Sequence, residues 1–259
     1  LEKAFSKLYG TDYAITFING TTTMHATLLA AGIGEGDEVI VPPLTMASTT
    51  FAVLNAGAIP IYADVDEETF QINPKSILEK LTKKTKAIIT VALYGLSPEM
   101  DEIMAIAKIN DLFVLEDNAE TMLSYYKGKL AGTLGHAASF SFQSSKHLTA
   151  GEGGIIITND EKLALDIRRI SSLGYSGVSS DKGKITKNDI QLPNYSRHVS
   201  TGFNFRMPEL CAAVVLGQLE RVNELVDRRI EVASLFLEIL SKVKWLSLIH
   251  ISEPTRLSG

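Results

Sequence analysis

The chain alternates short apolar segments with longer segments of helical spacing over about 150 residues. Seven segments are nearly continuous in apolar residues, which is typical of strands buried on both faces of a sheet. They are Tyr13–Ile18, Glu38–Pro42, Ile59–Ala63, Ala87–Val91, Leu112–Glu116, Ala138–Phe142 and Gly153–Thr158. Helical spacing predicts helices over Thr22–Ala31, Ser48–Ala56, Pro74–Leu81, Pro98–Asn110 and Glu161–Leu173. This alternation predicts an α/β sandwich with a mostly parallel, seven-stranded sheet, and the short link between the last two strands predicts that one of them is antiparallel.

Outside this region the pattern changes. The first residues have an amphipathic helical pattern that ends at Gly10. Residues Gly174–Gly202 are polar, and a stretch of this kind is usually functional or disordered. Helical spacing returns over Val222–Leu240 and predicts one long helix.

Both ends of the chain suggest a fragment. There is no initiator methionine, and little follows the long helix. The stretch from Ser247 onward fits no upstream pattern and is similar to translated adapter sequence. We therefore expect a large domain over residues 1–220, a long helix over 221–246 that leads into a truncated small domain, and a non-native tail over 247–259.

Composition and charge exclude several classes of function. The 259 residues are 45% apolar and 21% charged, which excludes a disordered chain. A net charge of −5 argues against a broad nucleic-acid-binding surface. The single cysteine, Cys211, excludes an intrachain disulfide and a cysteine-based metal site. No segment has the apolar length of a membrane span, so we expect a cytoplasmic protein with neither a nucleic-acid nor a membrane partner.

The first candidate for binding chemistry is the segment from Asn19 to Thr23, which follows a predicted strand and begins a helix. Backbone N–H groups at a helix N-terminus bind phosphate, and Gly20 would let an anion approach the backbone. A plain helix cap explains the same residues, because Asn and Thr are favoured there. The segment has neither of the glycine patterns typical of dinucleotide and nucleoside-triphosphate sites.

The second candidate is the acidic segment Leu115–Glu120, at the carboxyl end of a predicted strand. Ligands of an open parallel sheet bind at that edge. Asp117 is one residue nearer the edge than Glu116. Either a ligand or a helix cap would explain an acidic residue there.

The third candidate is Lys146, in a serine-flanked loop that follows a strand and precedes a glycine cluster over 151–154. A partly desolvated lysine on such a loop suits Schiff-base chemistry, because its pKa can fall. A lone loop lysine is more often simply solvated, and His147 is most simply its neighbour.

The fourth candidate is the segment Gly202–Glu209, which closes the polar stretch and begins a helix at Pro208. Arg206 in a surface ion pair would explain it equally well. The order of the first three candidates is more specific than any one of them. A pyridoxal phosphate (PLP) site needs an anchored phosphate, a carboxylate beside the pyridine nitrogen and a lysine that forms an imine.

The chain resembles the DegT/DnrJ/EryC1/StrS family of PLP-dependent sugar aminotransferases, which have the type I fold. The resemblance covers about Leu1–Leu246 and rests on segments that follow the family's order. They are NGTTTMH, DEVIVPPLTMAST, NAGAIPIYADVD, LYGLSPEMDEI, VLEDNAET, SFSFQSSKHLTAGEGG and GFNFRMPELCAAVVLGQLERV. The implied fold is the PLP-binding large domain, with the usual N-terminal segment and most of the small C-terminal domain missing.

The resemblance implies roles for the catalytic and phosphate-binding residues. Lys146 would bind the cofactor covalently and then act as acid and base, and Asp117 would pair with the pyridinium nitrogen. The phosphate would be bound by Gly20, Thr21 and Ser141.

Three further positions follow from the same resemblance. Glu120 matches a position near the cofactor's ring oxygen, where the family has Gln, His or Glu. Met46 stands where many members have an aromatic residue on the cofactor ring, and a thioether can pack there. Asn204 matches a residue that reaches the phosphate from the neighbouring subunit, which implies a homodimer with shared active sites.

The implied reaction moves an amino group from glutamate or glutamine to a keto-sugar, usually nucleotide-linked. A subgroup with His in place of the lysine dehydrates sugars, and Lys146 favours transamination over that reaction. A cyclitol aminotransferase and a non-catalytic PLP-binding regulator remain alternatives. A plain scaffold would leave the coincidence of Asp117, Lys146 and Asn204 unexplained.

Overall fold

A computed structural model describes residues 1–183, 191 and 195–243 of the chain. Its strands are β1 Tyr13–Phe17, β2 Glu38–Val41, β3 Ile59–Tyr62, β4 Thr85–Val91, β5 Phe113–Asp117, β6 Tyr125–Tyr126, β7 Lys129–Leu130, β8 Ala137–Ser141 and β9 Gly154–Thr158. Its α-helices are α1 Glu2–Tyr9, α2 Gly20–Ala30, α3 Ala47–Asn55, α4 Pro74–Lys80, α5 Met100–Asn110, α6 Glu161–Ser171, α7 Glu209–Leu219 and α8 Val222–Leu240.

The main sheet has seven strands in the order β1-β9-β8-β5-β4-β2-β3. Strand β9 is antiparallel to both of its neighbours, and the other pairings are parallel. The predicted α/β class, the mostly parallel sheet and the one antiparallel strand are confirmed. A small hairpin of β6 and β7, with two residues in each strand, is too short to leave a sequence pattern and was not predicted.

Helices cover both faces of the sheet, because its strands alternate their side chains between two apolar layers. On β4 and β5, Ile89 and Leu115 pack in one layer, which includes residues of α2, α3 and α6. Ile88 and Val114 point the other way, into a layer that includes residues of α4 and α5. Helices α1, α7 and α8 extend the second side around Phe140.

The helix boundaries follow local chemistry. Helix α2 begins two residues before its predicted start, because Asn19 caps it by accepting a hydrogen bond from the Thr22 N–H at 2.9 Å. Helix α1 ends at Gly10 as predicted, in a left-handed conformation with φ of 66°. Helix α7 follows Pro208, also as predicted.

Two of the sequence predictions fall partly or wholly outside the described residues. Within the polar stretch Gly174–Gly202, residues 184–190 and 192–194 lie outside, and the flanking parts form single bridges between Ser172 and Asn204 and between Tyr175 and His198. The tail over 247–259 lies outside entirely, as do residues 244–246 of the predicted long-helix segment. Among the described helices, none combines the length and the apolar character needed to cross a bilayer.

Candidate active site

A cavity of about 390 Å³ opens at the carboxyl edge of the parallel strands. The turns that follow β1, β2, β4, β5 and β8 all contribute to it, as expected for a ligand site in an open parallel sheet. Its walls are made by Asn19, Gly20, Thr21, Met24, Thr45, Met46, Ser48, Val91, Leu93, Asp117, Ala119, Glu120, Ser141, Gln143, Ser145, Lys146 and Glu152. Seven of the eight predicted site residues therefore share one cavity.

One end of the cavity is suited to an anion. Gly20 and Thr21 occupy the first turn of α2, where backbone N–H groups have no acceptor within the helix and lie at the positive end of its dipole. Asn19 already accepts from Thr22, so the helix cap that the sequence left as an alternative is present. The cap and the anion site coexist, because the cap uses the N–H of Thr22 and not those of Gly20 and Thr21.

Small residues let three chain segments meet at this end. A Cβ atom on Gly20 would lie 3.0 Å from Cβ of Ser141. A Cβ atom on Gly154 would lie 2.6 Å from the carbonyl carbon of Asn19 and 2.8 Å from the backbone nitrogen of Gly20. The glycine at 154 is therefore required for β9 to pass directly behind the turn between β1 and α2.

Asp117 ends β5 and is buried, with 3% of its surface exposed. Its Oδ2 accepts a hydrogen bond from the Thr49 hydroxyl at 2.9 Å, and its Oδ1 accepts from the Ala119 N–H at 3.1 Å. Burial raises the pKa of Asp117, while these two hydrogen bonds and the charge of Lys146 oppose the rise. A carboxylate can accept about four hydrogen bonds, so Asp117 keeps acceptor capacity toward the cavity.

Glu116, the neighbouring acid, belongs to the other face of the sheet. Its carboxylate accepts hydrogen bonds from the N–H groups of Gly132, Leu134 and Gly135 at 2.6–2.8 Å. It therefore holds the loop before β8 in place, and Asp117 is the acid of the pair that lines the cavity.

Lys146 lies in the loop between β8 and β9, and its Nζ is 3.3 Å from Oε1 of Glu120. The Lys146 side chain is 18% exposed, so the loop lysine is partly desolvated rather than freely solvated. Its backbone carbonyl accepts a hydrogen bond from the Arg229 guanidinium of α8 at 3.2 Å. The lysine thus faces an acidic partner at the mouth of the cavity.

A second cavity of about 330 Å³ adjoins the first and shares Glu120, Ser145 and Lys146 with it. Its remaining walls are Tyr94, Gly95, His147, Val226, Arg229 and Ile230. Burial and the positive charges of Arg229 and Lys146 lower the pKa of His147 to about 4. His147 is therefore neutral at pH 7, and Lys146 stands where the two cavities meet.

Two of the predicted residues are placed differently from the rest. Met46 lines the first cavity but is 70% exposed, at the N-cap of α3. Asn204 does not line either cavity formed by the described residues, and it is exposed beside Phe203.

Thr49 is a site residue that the sequence did not predict. Thr45 precedes α3 and Thr49 lies in its first turn, and their hydroxyl oxygens are 3.0 Å apart. Thr49 is fully buried and touches Asp117. The spacing of two threonines at i and i+4 after a strand was the available signal, but it is equally typical of an ordinary helix start.

Comparison with known proteins shows which family the chain belongs to. The family model of the DegT/DnrJ/EryC1/StrS aminotransferase family matches residues 1–256. GDP-perosamine synthase of Escherichia coli O157:H7 is 41% identical over 235 residues, covering 91% of this chain and 60% of that protein. The chain thus spans about three fifths of the length of this relative.

Solved structures have the same fold. An aminotransferase from Psychrobacter cryohalolentis is 36% identical with a TM-score of 0.85, covering 94% of this chain and 61% of that one. NtdA from Bacillus subtilis, solved with bound cofactor PMP, is 30% identical with a TM-score of 0.82, covering 98% of this chain and 55% of that one. By its motifs, its fold and the match along nearly its whole length, the chain belongs to the DegT/DnrJ/EryC1/StrS aminotransferase family.

Proposed function

We propose that this chain is the PLP-binding part of an aminotransferase that transfers an amino group from glutamate or glutamine to a nucleotide-linked keto-sugar. One observation carries the proposal. A free helix N-terminus, a buried carboxylate and a partly desolvated lysine line the same cavity of about 390 Å³. Each of the three is common alone, but together they match the anchor, the ring partner and the imine-forming amine that PLP requires.

The residues present fit this cofactor. The N–H groups of Gly20 and Thr21, with the hydroxyl of Ser141, form a donor set for a phosphate, and Gly20 leaves the space that a side chain would fill. Asp117 offers a buried acceptor for a protonated ring nitrogen. When bound, the cofactor supplies an electron sink for the carbanion formed at the amino-acid Cα.

Lys146 is the group that moves the proton in this proposal. Its amine would take the proton from Cα of the donor and return it at the cofactor's reactive carbon, a task that needs a neutral amine. Lys146 Nζ donates a hydrogen bond to Oε1 of Glu120 at 3.3 Å, which holds the amine at the place where the two cavities meet. Asp117 is buried, so its carboxylate would accept a hydrogen bond from the ring nitrogen away from bulk water.

We place the reacting part of the substrate in the second cavity, because that cavity includes Lys146 but none of Gly20, Thr21 and Ser141. Its volume of about 330 Å³ is sufficient for an amino acid or a single sugar ring. The likeness to GDP-perosamine synthase makes a GDP-linked keto-sugar the first acceptor to assay, with keto-cyclitols as the comparison.

We also propose a homodimer with shared active sites, a cytoplasmic location and the domain limits expected above: a PLP-binding large domain over 1–220 and a helix over 221–246 leading to a small domain. Exposed apolar side chains support the dimer, since surface of this kind favours a partner; they include Met46, which lines the first cavity, and Phe51, Leu54 and Phe203. Asn204, next to Phe203, would reach the partner's phosphate site.

The test is to trap PLP on the chain with borohydride and locate the modified lysine by peptide mass mapping. We expect a visible absorbance band before reduction and a label on Lys146, and we expect the Lys146→Ala variant to lose band, label and transamination. Lys162→Ala is the matched control, because Lys162 is an exposed lysine paired with Asp166. A folded chain that binds no PLP, or carries the label elsewhere, would refute the proposal.

A further inference from the structure

Thr49 is a polar side chain inside the apolar layer of α3, and none of the roles assigned above uses it. It is fully buried, and its hydroxyl donates to Oδ2 of Asp117 at 2.9 Å. Its oxygen also lies 3.0 Å from the hydroxyl oxygen of Thr45. Both Thr45 and Asp117 line the cofactor cavity, whereas Thr49 lies behind them.

The direction of this chain of hydrogen bonds follows from proton counting. An ionised carboxylate can only accept, and a threonine hydroxyl has one proton to donate. Because the Thr49 hydroxyl donates its hydrogen bond to Asp117, Thr45 must be the donor in the hydrogen bond between the two threonines. The order is therefore Thr45 to Thr49 to Asp117, and it is fixed only while the carboxylate is charged.

We propose that Thr49, oriented by Thr45, is a positioning residue that fixes the Asp117 carboxylate in its charged form against the cavity. The proposal rests on the proposed function for the task given to Asp117, which is to stabilise a protonated ring nitrogen. Thr49 itself touches neither the cavity nor any reacting atom, and it acts through Asp117.

The electrostatic surroundings of Asp117 make this hydrogen bond matter. Burial raises its pKa, and the Thr49 hydroxyl is the largest influence that opposes burial. The Ala119 N–H and the charge of Lys146 act in the same direction as Thr49, and the charge of Glu120 acts against them. Removing the hydroxyl leaves the same burial with one hydrogen bond fewer to the carboxylate, so the pKa of Asp117 rises and its protonated form is favoured.

The experiment is a pH titration of the Asp117 carboxyl carbon by ¹³C NMR in the cofactor-free chain, assigned with Asp117→Asn. Thr49→Val keeps the side-chain shape and removes the hydroxyl. A hydrogen bond to a charged group corresponds to about one to two pKa units, so we expect the Asp117 titration to move up by that amount. Thr49→Ser should restore the wild-type midpoint. Thr50→Val, at the next position in α3, is the matched control and should not move it.

Each outcome decides the matter. An unshifted midpoint in Thr49→Val, an equal shift in Thr49→Ser, or an equal shift in Thr50→Val overturns the proposal. If Thr49→Val does not fold, Thr45→Val is titrated instead. We expect a smaller upward shift of the Asp117 midpoint, because this change only weakens the hydrogen bond from Thr49 to Asp117. No shift in Thr45→Val overturns the proposal. If the midpoint shifts as expected while the chain binds no PLP, the proposed function fails and the role of Thr49 in fixing the charge of Asp117 stands.

Discussion

The turn that would bind the phosphate depends on one glycine in a neighbouring strand, and Gly154→Ala tests that dependence. An added Cβ would lie 2.6 Å from the carbonyl carbon of Asn19 and 2.8 Å from the nitrogen of Gly20. Both contacts are with backbone, which cannot rotate away as a side chain can. Ordinary contact begins near 3.4 Å, so the turn and β9 must separate by roughly 0.8 Å.

The expected magnitude has two parts. Overpacking a closely packed site costs about 1–3 kcal/mol, and contact with the backbone of Asn19 and Gly20 places Gly154→Ala at the upper end. For a chain of this size, each kcal/mol lowers Tm by roughly 2–4 °C, so we expect a fall of about 6–12 °C. The same displacement misaligns the N–H groups of Gly20 and Thr21, and losing one charge-assisted hydrogen bond lowers PLP affinity by about tenfold or more.

Gly153→Ala is the matched control for this prediction. Its added Cβ would meet Cε of Met207 at 2.8 Å, the flexible end of a side chain, and Cβ of Phe142 at 3.2 Å. It does not touch the turn at Asn19, so PLP affinity should stay within about twofold of wild type. Thermal unfolding of the cofactor-free chain and absorbance titration with PLP measure the two effects. Wild-type affinity in Gly154→Ala, or equal losses in both variants, would refute the reasoning.

Two further predictions concern stability. Burial and the charges of Arg229 and Lys146 lower the pKa of His147 to about 4, so between pH 6.5 and 4 the unfolded chain binds a proton that the folded chain does not. The urea midpoint should therefore fall as the pH is lowered from 6.5 to 4, and His147→Gln should flatten this pH dependence. The same pH dependence in His147→Gln as in wild type would contradict the burial argument. Glu2→Ala removes the carboxylate that pairs with the buried guanidinium of Arg168 at 2.9 Å. Because Glu2 is partly exposed, urea unfolding should show a loss of about 2–3 kcal/mol, the size of a hydrogen bond to a charged group, rather than the larger loss of a fully buried pair. Glu2→Gln keeps an acceptor and should lose less; equal losses would show that charge alone matters.

The fold could be predicted from the sequence wherever one signal, the apolar character of buried strands, dominated. A strand covered on both faces is mainly apolar, and the inner strands of the main sheet follow that rule. The edge strand β3 is apolar too, although Ile59 and Tyr62 at its ends are exposed. Helix α2 was placed two residues late, because its first turn is held by the Asn19 side chain rather than by apolar contacts. The hairpin of β6 and β7 has only two residues in each strand, and strands this short have no periodicity to detect.

The site was accessible for a different reason. Strand ends, loops and a helix start can be located along a chain, and the topology of a parallel sheet then brings them to one edge. Gly20, Asp117 and Lys146 were found in this way, and they share one cavity. Thr49 escaped because it lies a full helical turn beyond the edge, where only the packing of α3 against the sheet decides what it touches.

The neighbouring acids Glu116 and Asp117 at the end of β5 face opposite sides of the sheet and have different roles. The strand before them is apolar on both faces, so periodicity does not reveal which acid faces which layer. Asp117 shares the face of Leu115, toward α2 and α3, and there it meets Thr49 and the cavity. Glu116 shares the face of Val114 and is enclosed by the loop of Gly132 to Gly135, whose N–H groups need an acceptor. A shift of one residue in strand register would exchange the two, placing the loop-binding acid in the cavity. The register of β5 against β4 and β8 is therefore part of the chemistry of the site, and not only of the stability of the sheet.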